Sequence, residues 1–241
     1  MESVLKKLHN KIISLTFASI FANSAFASPI ITYTDGNGFN TGSLTESVTT
    51  GSLMHGMIVT TCFVSGSCES SNWNGLAGGY GEAGTSNWLL SINGNTFTNP
   101  FTFSTLNSTA EVMSISLNGR AGKTVFDVNY DDMLSVGSFY GRPFELSGAN
   151  PDIANLTVNV NYTDRLAVDD VFYGDLFTVM SIDFGGSAFN GSFKFITDTD
   201  NTAFSEAIVP FDPIKVPLPG TVFLFAVGLA SICFRNKLKN S

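Results

Sequence analysis

Charge is scarce in this chain of 241 residues: only 13% are Asp, Glu, Lys or Arg, against about 25% in ordinary soluble domains. Histidine is scarcer still, with His9 and His55 as the two copies. That count excludes zinc sites built on several histidines. A Ser-His-Asp triad would have to use His55, in Ser52-Leu53-Met54-His55-Gly56, and no Gly-x-Ser-x-Gly elbow accompanies it. His55 therefore reads as a strand-edge residue, and the chain as a non-enzyme. Bases are rare in the middle: between Ser28 and Pro217 they are Arg120, Lys123, Arg142, Arg165, Lys194 and Lys215, while every acid except Glu2 falls there. Such a surface repels phosphate backbones, which excludes nucleic acid as a partner. It tolerates divalent cations. Helical periodicity is also missing from the middle of the chain, which excludes a helix-rich domain.

In place of charge the chain carries Gly, Ser, Thr and Asn, with 22 Phe and 23 Gly. Between Ser28 and Pro213 the hydrophobic period is two. Leu156, Val158, Val160 and Tyr162 alternate with polar residues, as do Met113, Ile115 and Leu117. Phe126, Val128 and Tyr130 repeat the pattern, as do Met180, Ile182 and Phe184, and Phe193 and Phe195 flank Lys194. Each run is strand-length with one buried face. Asn118-Gly119-Arg120-Ala121-Gly122 and Asn93-Gly94-Asn95 read as hairpin connections. The pattern predicts an all-β domain over 28–213, a jelly-roll-like β-sandwich. Ser65 to Ser86, dense in glycine, reads as a long irregular loop holding Trp73 and Tyr80.

The ends differ from the middle. Lys6, Lys7 and Lys11 precede an apolar run from Ile12 to Ala22, followed by Ala25-Phe26-Ala27. A basic stretch, a short apolar core and a small-x-small site make a secretory signal peptide over 1–27, cut after Ala27 by the secretion machinery. The apolar run falls short of the roughly 20 residues a membrane span needs.

At the other end, 214–241, Val216-Pro217-Leu218-Pro219-Gly220 leads into an uncharged apolar stretch and then Arg235, Lys237 and Lys239. A helix over 218–234 would be about 25 Å long, slightly under a hydrocarbon core of about 30 Å. The flanking bases can cover the deficit by snorkelling. The run is apolar around its whole circumference, unlike a helix packed on a globular core. The positive-inside rule keeps the basic tail cytoplasmic and the domain outside.

Val216-Pro217-Leu218-Pro219, the apolar helix and the basic end together resemble a PEP-CTERM sorting signal, with Leu218 where Glu is usual in that family. The resemblance covers about a tenth of the chain. It implies processing near Pro217–Pro219 by an exosortase, a transient membrane anchor, and delivery to the cell surface or to an extracellular matrix of biofilm and exopolysaccharide.

Cys62 and Cys68 lie in the exported region, five residues between them, and predict a disulfide at the base of the glycine-rich segment. Closing so short a loop stabilises by about 2–3 kcal/mol. Cys233 sits inside the apolar C-terminal stretch and reads as a membrane-facing residue. Acidic turns recur at Asp35-Gly36-Asn37-Gly38-Phe39-Asn40, Asp131-Asp132, Asp169-Asp170 and Asp198-Thr199-Asp200-Asn201. Asp and Asn commonly hydrogen-bond their own backbone in turns, and their oxygens also suit Ca²⁺. Asp198 and Asp200 are the first candidates for such a site. Asn107, Asn155, Asn161 and Asn190 head Asn-x-Ser/Thr triplets, of which three fall in strand-like segments and none reads as a glycan acceptor.

Three functions compete. The first is a non-enzymatic surface or matrix protein. The second is a carbohydrate-binding, lectin-like module stacking sugars on Trp73, Tyr80 and Trp88. The third is a polysaccharide-active hydrolase using a carboxylate pair.

Overall fold

The structure, a computed structural model, describes residues 28–202 apart from 35, 37, 47, 129–140 and 170. The segments expected to form the signal peptide (1–27), the sorting motif, the apolar helix (218–234) and the basic tail lie outside the described residues, as do Tyr130 and Asp131-Asp132. Among those described, no helix is long and apolar enough to cross a membrane.

In chain order the strands begin with β1 (Ile30–Tyr33), β2 (Phe39–Thr41), β3 (Leu44–Glu46), β4 (Ile58–Phe63), β5 (Cys68–Asn72), β6 (Asn74–Gly75), β7 (Tyr80–Gly84) and β8 (Trp88–Asn93). They continue with β9 (Phe101–Thr105), β10 (Val112–Asn118), β11 (Thr124–Asp127), β12 (Glu145–Leu146), β13 (Asn159–Val168), β14 (Val171–Asp183), β15 (Ser192–Ile196) and β16 (Asp198–Thr202). They form two mostly antiparallel sheets, a β-sandwich-like all-β fold. The larger runs β3-β16-β11-β14-β10-β4-β5, with β13 on the other flank of β14 and carrying β1 and β2 in parallel. The smaller runs β12-β15-β9-β8-β7-β6.

Alternation decides what each strand buries. Val59, Leu117, Val160 and Ile182 of the larger sheet share one core with Trp88, Leu90, Phe103 and Phe193 of the smaller. Phe dominates that core through stacked and edge-on pairs: Phe101 on Phe195 at 5.1 Å, Phe184 on Phe189 at 4.9 Å, and Phe193 edge-on to Phe189 at 5.3 Å. Such pairs add about 0.5–1.5 kcal/mol each beyond area burial. A second, smaller cluster gathers Phe39, Val125, Leu166, Val168 and Leu176. The polar positions form the other face of the larger sheet. Thr32, Asn161, Ser181, Ser116, Thr60 and Ser70 stand in one register row across β1, β13, β14, β10, β4 and β5. Hydroxyls and amides thus do the solvating work that charge does in most sheets.

Several sequence expectations need correction. Ser65–Ser86 is no irregular loop: it contains β5, β6 and β7. Its glycines reflect close packing around Trp73, since a Cβ at Gly81 would strike the Gly51 carbonyl and the Trp73 ring nitrogen. Asn118–Gly122 is no hairpin either. β10 and β11 both pair with β14, Asn118 opposite Val179 and Phe126 opposite Phe177, so they follow one another along the same side of one long strand. The connection is a 3-10 turn ending on Lys123 at φ 53°. Asn93-Gly94-Asn95 does lie between paired strands, β8 and β9. His55 follows a 3-10 turn rather than edging a strand, and its Nδ1 accepts a 3.5 Å hydrogen bond from the Gly75 amide. Of the four Asn-x-Ser/Thr sites only Asn161 lies in a strand.

Candidate functional site

Asp198-Thr199-Asp200 does not form a turn; it begins β16 and is buried. Pairing with β11 places Asp127 directly opposite Asp198, and Asp200 opposite Val125. Residues two apart on a strand share a face, so Asp198 and Asp200 point the same way as Asp127 on the neighbouring strand. Oxygens of the three carboxylates come within 4.8 Å of one another. All three residues are at most 3% exposed. Val125, also on that face, anchors the smaller apolar cluster. Gly141 closes over the site, where a Cβ would collide with the Asp127 carboxylate and backbone.

Asp198 is held from several directions. Its Oδ1 accepts from the Thr96 hydroxyl at 3.0 Å and from the Thr199 amide at 2.9 Å. Its own amide donates to the Arg142 carbonyl at 2.8 Å. The Thr199 hydroxyl donates to Thr96 Oγ1 at 3.2 Å, so a threonine pair lines one side. Arg142 binds Glu145 and donates to the Phe97 carbonyl at 2.9 Å. Burial, and after it the charge of Asp127, raise the Asp198 carboxyl to about 7. The Thr96 and Thr199 hydrogen bonds and the Arg142 charge pull the other way without cancelling burial.

Buried carboxylates this close lower their repulsion by holding protons, by meeting donors or a base, or by surrounding a hard cation. The donor set is oxygen only, with hydroxyls beside it and no imidazole or thiolate, which fits Ca²⁺ rather than zinc.

Asp198 and Asp200 are thus brought together, and the third member, Asp127, was missed. Its place between Phe126 and Val128 reads as an outward polar residue of an alternating strand, and only the register with β16 reveals its partners. Of the other acidic turns, Asp169 stands exposed between β13 and β14 at φ 49°, and Asp35, Asp131, Asp132 and Asp170 lie outside the described residues.

Cys62 and Cys68 form the expected disulfide. They are direct partners in the β4–β5 hairpin, so the bridge staples two paired strands rather than the base of a loop. The aromatic sugar platform is not present in the form expected. Trp73 and Trp88 are both fully buried: Trp73 donates to the Gly51 carbonyl at 2.7 Å and meets Phe101 edge-on, and Trp88 stacks on Phe103. Tyr80 is half-buried and donates to Glu82 at 2.7 Å, which raises its phenol.

Compared with family models, curated proteins and solved structures, the chain matches none of them.

Proposed function

We propose that this chain is an exported cell-surface or extracellular-matrix protein without catalytic activity, sorted by an exosortase. The secretion machinery carries it across the inner membrane and removes residues 1–27. The segment 214–241 then holds it in the membrane with Arg235, Lys237 and Lys239 in the cytoplasm. Cleavage near Pro217–Pro219 releases the domain toward an exopolysaccharide or biofilm matrix. The observation that carries this reading is the three-part C-terminal pattern of Val216-Pro217-Leu218-Pro219, apolar stretch and basic end. The Cys62–Cys68 disulfide supports it, because such bonds persist in oxidising compartments outside the cytoplasm. The chain's repeated crossing between sheets, at β5–β6, β9–β10, β11–β12, β12–β13, β14–β15 and β15–β16, supports the jelly-roll-like form of the sandwich.

Cell fractionation with intact-mass analysis, in a host with and without its exosortase, tests the sorting. A shortened C-terminus and a change of location that both depend on the enzyme are expected. An intact C-terminus in an unchanged location in both hosts would overturn the reading.

A second reading concerns Ca²⁺ and is favoured by the convergence of Asp127 on Asp198 and Asp200. Calcium there would neutralise the triad and tie β11 to β16. Calorimetric titration of calcium chloride into the purified chain should show binding that Asp200→Asn removes. Equal heats from both proteins would refute it.

A further inference from the structure

An open groove of about 460 Å³ lies beside the disulfide, between the β4–β5 turn, the β7–β8 turn and the β9–β10 connection. Its volume is in the range of small-molecule sites, about 300–1,000 Å³. Its apolar part is Phe63, Val64 and Ala110, and its polar edge is Glu69, Asn87, Asn107 and Glu111.

The polar edge is fixed before any ligand arrives. Glu69 accepts from the Thr85 hydroxyl and from the Asn87 amide, one on each carboxylate oxygen, both at 2.6 Å. Asn107 donates to Asn87 Oδ1 at 3.2 Å, while its own Oδ1 accepts from the Thr109 amide and hydroxyl. Asn190 donates to the Asn107 and Ala110 carbonyls and pins the backbone beneath. On the other wall the Val64 amide donates to the Glu111 carbonyl at 2.9 Å. Preorganisation of this kind removes part of the ordering cost of binding.

The lining selects a ligand class. It holds two carboxylates and no base, so phosphates, sulfates and uronates are repelled. A single metal ion needs six or more oxygens converging at about 2.5 Å, which a groove this wide does not supply. The two oxygens of Glu69 already face neutral donors. What remains is a neutral molecule with a C–H face for Val64 and Ala110, and hydroxyls that both give and accept for the amides and carboxylates. We propose that this groove binds a neutral saccharide of roughly one or two rings, through aliphatic and amide contacts instead of the buried tryptophans. Binding in vitro does not pass through an exosortase, so this inference and the sorting reading stand or fall separately.

The test is affinity electrophoresis of the purified full chain in gels containing dextran, mannan or xyloglucan, with polygalacturonate as the anionic comparison. Ser67→Trp, on the exposed β4–β5 turn, fills the groove, and Asn87→Ala removes the amide that links Glu69 to Asn107. The chain should be retarded in at least one neutral glycan and not by polygalacturonate. Ser67→Trp should weaken that retardation at least tenfold while keeping the parent's thermal midpoint, and Asn87→Ala should weaken it as well. Should Asn87→Ala unfold, Ser67→Trp alone decides. Free migration in every neutral glycan, retardation by polygalacturonate, or retardation that Ser67→Trp leaves unchanged would overturn the proposal.

Discussion

Asp198 and Glu69 are both carboxylates held by a threonine hydroxyl, Thr96 at 3.0 Å and Thr85 at 2.6 Å. Their surroundings differ. Asp198 is 3% exposed with two further carboxylates close by, and burial with the Asp127 charge raises it to about 7. Glu69 lines a groove open to water and spends its oxygens on neutral donors. The same functional group therefore serves two ends. Enclosed close to two others, it titrates well above the ordinary carboxylate range; spread along an open edge, it becomes part of a hydrogen-bonding rim. Burial and spacing decide which, and the number of acids does not.

The sharpest way to break this comparison is to remove the charge at Asp198. A carboxyl raised on folding is protonated in the folded chain while the unfolded chain has already ionised. Stability therefore falls as pH rises from the ordinary carboxylate range to about 7, and levels off above it. Without metal, the chain should be about 3 kcal/mol less stable to urea at pH 8 than at pH 5. Asp198→Asn should abolish most of that difference and be the more stable protein at pH 8. A parent profile that is flat between these pH values would break the account of the triad.

The disulfide offers the next largest effect, at the groove. Replacing both Cys62 and Cys68 by serine should cost about 2 kcal/mol in urea unfolding. Because the pair joins β4 to β5 next to the groove wall, saccharide retardation should weaken while the pH response of Asp198 stays as it was. A change in that pH response would mean that the two regions are not independent. The smallest effect belongs to Glu69→Gln, which turns one acceptor of the Thr85 and Asn87 donors into a donor. A loss of about 1 kcal/mol is expected, read as a fall of a few degrees in thermal midpoint.

Much of the architecture is legible from alternation. Ile115, Leu117, Val160, Tyr162, Ile182, Phe193 and Phe195 are buried as their spacing predicts, because a period of two commits a strand to one face. What stays hidden depends on register between distant strands. Asn118–Gly122 carries the composition of a hairpin, yet β14 is long enough to accept β10 and β11 in succession. The glycines of 65–86 look like loop residues, although close backbone approach around Trp73 is what requires Gly81. Asp127 is the clearest case. Nothing in Val125-Phe126-Asp127-Val128 marks it as a site residue, and only pairing with β16 brings Asp198 and Asp200 beside it. Nor can tryptophan's sequence position tell a sugar platform from a core: Trp73 lies where the chain crosses from β5 to β6, Trp88 is on the inward face of β8, and both join the main core.

The most direct test of the contrast is the thermal midpoint of the purified chain at pH 5 and pH 8, each with and without millimolar calcium chloride. Calcium should raise the midpoint by several degrees at pH 8, where Asp198 is ionised, and leave it nearly unchanged at pH 5, where Asp198 holds its proton. Asp198→Asn should lose the response. An equal calcium effect at both pH values, or none at pH 8, would contradict the view that enclosure makes Asp127, Asp198 and Asp200 a cation-seeking centre.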